Sequence, residues 1–205
     1  MASAVQPAHK DAARLRARLA KSRAITDALF PVICPEALYD RPIPERHRLI
    51  FYLGHLEAFD WNLIGGACGV KPFHAAFDKL FAFGIDPVDG GLPTDQPQDW
   101  PSEREIRDYN AQVRARLDQL IPQAEDILVH VAIEHRLMHA ETLAYLMHQL
   151  PLDKKIEAAQ ATFENIPPKP AKTARIPGGT ATLGQRRGAA FGWDNEFETV
   201  SARVP

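Results

Sequence analysis

At 205 residues and 45% apolar content, the chain can bury one good core of domain size and a fragment of a second. A formal net charge of -2, from 24 Lys and Arg against 26 Asp and Glu, gives no electrostatic case for nucleic acid or an anionic membrane surface as partner. The sequence has no apolar run of the roughly 18 residues a membrane span needs and no apolar signal-peptide core at its start, so a soluble, cytoplasmic protein is expected. Cys34 and Cys68 form no CxxC pair and lie beside apolar neighbours, which predicts buried thiols rather than a disulfide.

In chain order, the first predicted element is an amphipathic helix over 8–30. Leu15, Leu19, Ile25 and Leu29 form its apolar side, and Lys10, Arg14, Arg16, Arg18, Lys21 and Arg23 its solvated faces. Pro31 and Pro35 stop it, and Pro42 and Pro44 keep the connection extended. A second helix is expected over 45–64, where Leu49 to Leu53, Leu56, Phe59, Trp61, Leu63 and Ile64 leave few polar sides, so it should be central and largely buried. His55 lies in the middle of it. Glu57 sits about 200° and Asp60 about 140° around the helix from His55, so neither points along with it.

Gly65, Gly66 and Gly69 break that helix, and a short one carrying His74, Phe77, Leu80 and Phe81 is expected within 71–83. Residues 84–101, punctuated by prolines and glycines with Asp86, Asp89, Asp95 and Asp99 between, read as a long surface loop. The spacing of a calcium loop is absent. Ser102, with Glu105 three residues on, predicts a capping box for a third long helix with Ile106, Tyr109, Val113, Leu117 and Leu120 inward.

The last long helix is expected over 124–150, free of Pro and Gly from Gln123 to Gln149. Its predicted buried stripe is Leu128, Val131, His135, Met138, Thr142 and Leu146, which places His135 in the core and His139 one turn above it. Two imidazoles at i and i+4 on an inward face can supply two ligands to a transition metal, since an apolar wall favours the neutral ring. Such a pair is equally compatible with hydrogen-bonded histidines, as His55 is with a hydrogen-bonded core residue. Taken with the pair, His55 becomes the third ligand to consider. The expected fold class is mainly α, an antiparallel four-helix bundle over 8–165, followed by a Pro-rich linker at 166–174. Residues 174–184 then read as a turn followed by alternating, strand-like residues, and 175–205 as the opening of a second domain too short for its own core.

The stretches Arg46 to His55 (RHRLIFYLGH), Phe77 to Asp86, Asp99-Trp100-Pro101 and Glu134 to Thr142 (EHRLMHAET) resemble the DinB-like amino-terminal domain of the nonheme iron sulfoxide synthases. These are the EgtB type of ergothioneine biosynthesis and the related OvoA type of the ovothiol pathway. Ile176 to Thr180 and Phe191 to Glu196 resemble the start of the formylglycine-generating-enzyme (sulfatase-modifying-factor) domain that follows in that family.

The resemblance implies that His55, His135 and His139 hold Fe(II). The partners it implies are a small-molecule thiol (γ-glutamylcysteine or cysteine), a histidine-derived imidazole (hercynine) and O2, joined through a new C–S bond into a sulfoxide. Three histidines on one side of an octahedral ion would leave positions for all three. Glu141 belongs to the motif but lies about 200° around the helix from His139, so it is expected to orient a neighbouring group rather than bind metal, with Glu134 the competing candidate. The family's catalytic tyrosine and substrate-recognition groups come largely from the second domain, so no catalytic residue is assigned here, and the chain alone is expected not to turn over. An ovothiol-type synthase, a DinB-like metal-dependent thiol S-transferase and a noncatalytic helical module are the other readings. Oligomeric state is left open.

Overall fold

The computed structural model describes residues 12–85, 91–156, 170–188 and 190–205. The chain divides into two compact units, Met1–Ala158 and Ala159–Pro205. Asp86, Asp89, the first residues expected in helix one and the start of the linker, through Lys169, lie outside the described residues.

The first unit is helical: α1 Ala12–Asp27, α2 Leu49–Asp60, α3 Ala75–Phe83, α4 Glu103–Leu120 and α5 Asp126–His148. α2 packs against α3, α4 and α5, and α1 lies chiefly on α5. Every residue of α2 except Phe59 is buried, as its apolar content predicts. It continues through one wider helical turn, Trp61–Gly65, and on through Gly66, which stays helical (φ -59, ψ -46), so that of the three glycines expected to break it only Gly69, with φ 70, stands at its end. No helix among the described residues is long and apolar enough to cross a membrane.

Several boundaries and faces differ from expectation for identifiable reasons. α2 starts at Leu49 rather than residue 45, because Arg48 is extended (φ -61, ψ 154) and its guanidinium is tied down by Asp95, at 2.9 Å, and by the carbonyls of Tyr39 and Asp95. Asp95 is itself buried, accepting from Trp100 Nε1 at 2.7 Å and from Arg41, so the described part of the expected surface loop carries a structural anchor. On α1 the buried face is Leu15, Leu19, Ser22, Arg23 and Thr26, while Ile25 is exposed. Arg23 can turn inward because Asp118 of α4 meets it at 2.8 Å, and the Ser22 and Thr26 hydroxyls donate to carbonyls of their own helix.

On α5 the buried face runs through Val129, Ala132, Ile133, Arg136, Leu143, Leu146 and Met147. It is centred near Arg136, about 100° around the helix from His135. His135 and His139 are therefore half-buried at the edge of that face, and Met138 is half exposed. Ser102 and Glu105 do form the reciprocal capping box of α4. Both cysteines are free, but half-buried rather than buried.

The second unit holds one antiparallel hairpin, β1 Gly179–Leu183 with β2 Val200–Val204, in the register Ala181 opposite Ala202. No described residue of this unit is buried.

Candidate metal centre

The α2/α5 interface brings His55, His135 and His139 together, with one ring nitrogen of each within 4.8 Å of the others. His55 reaches the site from the middle of α2, and His135 and His139 from successive turns of α5, with ring centroids 4.5 Å apart. The Nε2 atoms of His55 and His139 lie 3.1 Å apart. Two imidazole nitrogens sharing one divalent ion at about 2.1 Å each are separated by roughly 3 Å, so this pair already has the spacing of co-ligands.

The hydrogen bonding favours a cation there. Nδ1 of His55 lies 2.6 Å from the Phe81 carbonyl oxygen, which can only accept, so His55 carries its proton on Nδ1 and presents a bare lone pair at Nε2. Nδ1 of His135 and of His139 are both buried without a hydrogen-bond partner. With His55 Nε2 bare, His139 Nε2–H can donate to it at 3.1 Å in the metal-free protein, and a cation shared by the two nitrogens would take the place of that proton.

Electrostatics keep all three neutral. Burial is the first cause in each case, with the neighbouring imidazoles and Arg136 or Arg46 adding to it. His135 is pushed down to about 2, His139 to about 3, and His55 below its ordinary value. At neutral pH the ligand atoms need shed no proton to bind metal.

Aromatic rings fix the imidazole planes. Phe59 stacks on His135 at 3.5 Å and 13°, and Phe51 on His55 at 4.6 Å and 25°. The Tyr52 ring lies 5.5 Å from His139.

Next to the triad, on the buried side of α5, Arg136 is wholly buried and joins α5 to α2. Its Nε donates to Asp60 at 2.8 Å, and its Nη2 to Glu57 at 2.5 Å and to the Leu56 carbonyl at 3.1 Å. Glu57 also accepts from Arg114, which pairs with Asp27. Burial, with Glu57 adding to it, lifts the Asp60 carboxyl to about 6, whereas the flanking guanidiniums of Arg136 and Arg114 outweigh burial and hold Glu57 below its usual range. Sequence reading placed Glu57 and Asp60 away from His55, as they are, but missed their partner. Two acids inside an apolar helix were the available signal, since a buried carboxylate requires a cation.

The two glutamates of the motif stand apart from the rings. Glu134 faces α1, where Arg18 Nη2 donates to it at 3.3 Å, and Glu141 is exposed. Neither belongs to the cluster of potential ligands.

Residues 18–149 match the DinB superfamily. Among curated proteins, ergothioneine biosynthesis protein 1 of Neurospora crassa is 33% identical over 190 residues, covering 78% of this chain and 22% of that protein. The protein of the same name from Schizosaccharomyces pombe is 29% identical over 130 residues, covering 55% of this chain and 16% of its own length. The chain thus spans about a fifth of the length of the curated relatives it matches.

Proposed function

The chain belongs to the DinB superfamily, and from that membership, its ergothioneine relatives and the histidine triad we propose that it is the metal-holding part of an Fe(II)- and O2-dependent sulfoxide synthase of ergothioneine biosynthesis. The observation that carries this reading is the convergence of His55, His135 and His139. The substrates proposed for the whole protein are a thiol, γ-glutamylcysteine or cysteine, and the imidazole of hercynine. Bound at the triad, Fe(II) would supply the redox and O2 chemistry that side chains lack.

What this chain's residues contribute is a rigid, neutral ligand set. His55, His135 and His139 offer lone pairs, Phe51 and Phe59 hold two of the rings flat, and Arg136 fixes the rotation of α5 against α2. The half-buried position of His135 and His139 leaves the site approachable by small molecules. Glu134 supports the site at a distance by tying α5 to Arg18 of α1, and Glu141 stays free to orient a group brought to that face. We read the helical unit as the four-helix bundle of 8–165 with α3 added to it. Residues 166–174 serve as the linker, and 175–205 as the opening of a formylglycine-generating-enzyme-like domain.

The test is metal analysis of anaerobically purified protein, before and after His139→Ala. Iron near one per chain, lost in the variant while helical circular dichroism persists, is the expected result. Unchanged iron in His139→Ala removes that residue from the site. Neutral imidazoles also suit zinc, and zinc in place of iron would favour a metal-dependent thiol S-transferase.

A further inference from the structure

Two of the sequence stretches singled out above, the one ending Leu53-Gly54-His55 and the one containing Phe81, meet face to face. A Cβ built on Gly54 would lie 2.5 Å from Cδ1, 2.6 Å from Cε1 and 2.6 Å from Cγ of Phe81. The ring therefore rests directly on the α2 backbone one residue before His55. Phe81 is wholly buried, with Phe77, Tyr109 and Trp100 around it at centroid distances of 5.4, 6.1 and 6.3 Å. α3 is pinned also through Asp78, one turn before Phe81 on nearly the same face: Tyr109 donates to its carboxylate at 2.8 Å and Asn62 to its carbonyl at 3.0 Å.

The same close approach delivers the Phe81 carbonyl to His55 Nδ1 at 2.6 Å. That carbonyl belongs to the last turn of α3, whose closing carbonyls have no partner within the helix and carry its partial negative charge. A ring N–H donated there satisfies the helix end and fixes one tautomer of the imidazole. Gly84, the left-handed cap of α3 (φ 75), repeats the arrangement: its missing Cβ makes room for the His47 ring, which packs on Phe51 at 4.1 Å, and Phe51 in turn stacks on His55.

We propose that the Gly54–Phe81 contact is a positioning device for His55: the absent side chain lets the end of α3 sit against α2, where the Phe81 carbonyl holds the Nδ1–H tautomer and keeps Nε2 bare and aimed at His139. The use of that lone pair as a ligand rests on the metal reading above, whereas the tautomer does not. A methyl group at Gly54 cannot be accommodated by spinning the ring, because Cγ does not move when the ring turns about its own axis. The neighbouring aromatics block a change of rotamer. The Phe81 backbone must retreat instead, and the carbonyl goes with it.

The test uses 15N-imidazole NMR of the metal-free chain, with Co(II) titration as the second readout. Wild type is expected to show His55 as the Nδ1–H tautomer. Gly54→Ala should lose that preference and bind Co(II) at least about tenfold more weakly. Gly66→Ala, where a Cβ meets nothing within 4 Å, should behave as wild type. The double variant Gly54→Ala/Phe81→Ala, which removes the obstructing ring but not the carbonyl, should regain both tautomer and affinity despite lower stability. An Nε2–H tautomer in wild type overturns the proposal, whether or not any variant folds. So does a folded Gly54→Ala that keeps the Nδ1–H form. If the tautomers follow expectation and Co(II) binds no variant, wild type included, the metal reading fails and the positioning device stands.

Discussion

At Arg136 a full positive charge sits out of contact with solvent, held by Asp60 and Glu57. Such a network contributes less to net stability than to fixing one arrangement, because desolvating its members offsets most of their attraction. Removing only the cation is a different matter. Arg136→Met should destabilise the chain by about 3–5 kcal/mol in urea unfolding by leaving the buried Asp60 carboxyl without a cation and Glu57 with Arg114 alone, and adding Asp60→Asn should recover part of the loss. The histidines set an acid limit. Their folded values lie below the ordinary 6.5, so their contribution is complete above pH 6.5 and declines as the pH falls toward about 3 for His139 and about 2 for His135. Asp60 runs the other way: raised to about 6 from 3.8, it costs stability as the pH climbs through that interval, so its protonation partly offsets the histidines in acid. Three groups against one leaves a net loss. The unfolding free energy of the metal-free chain, read from urea titrations, should drop between pH 7.5 and pH 5, by at most about 2 kcal/mol per histidine and less for the two half-buried ones. At this scale the His135–His139 pair was legible, because spacing on one helix is local information, whereas His55, on another helix, was joined to it only as a third ligand to consider and through the family resemblance. Arg136 was not, because its two partners lie on another helix some eighty positions away and only the fold joins them.

Among the elements, α4 shows what local chemistry specifies well. The Ser102 hydroxyl accepts from the Glu105 amide, and the Glu105 carboxylate accepts from the Ser102 amide, a reciprocal pattern that follows from two residues three apart. Ser102→Ala should cost about 1 kcal/mol in thermal or urea unfolding with no effect on metal affinity, since α4 supplies no ligand. The start of α2 was less legible. Residues 45–48 carry nothing that forbids helix, and what keeps them out of it is distant in sequence: Arg48 is anchored by Asp95 and the Tyr39 carbonyl, and the Leu49 amide donates to the Asp40 carbonyl. The α5 stripe was misplaced for a related reason. An arginine counts as polar in any periodicity argument, yet once neutralised by carboxylates it packs as core, and the buried face turned toward it while Met138 swung out. α1 repeats the lesson at Arg23, inward against Asp118, and Ile25, outward. Apolar patterning located the five α-helices of the described residues better than it located their faces.

For the molecule as a whole, every proposed ligand and each of its supports lies within the first unit, Met1–Ala158. The hairpin of the second unit has no buried residue among those described, and a two-stranded hairpin without a core is marginal by itself. The alternation of β1 was readable in the sequence, whereas β2 was not expected. What such strands pack against cannot be read from their own residues. The triad has a last consequence, which follows from where its members fall in the chain. His55 is separated from His135 by most of the helical unit, so the unfolded polypeptide has no comparable pocket, and an ion that binds there selects the folded form. Above the dissociation constant, each tenfold rise in free divalent ion should add about 1.4 kcal/mol to unfolding, visible as a melting temperature that climbs with the logarithm of ion concentration and flattens in His139→Ala. Heat resistance then becomes a gauge of how much metal the surroundings supply.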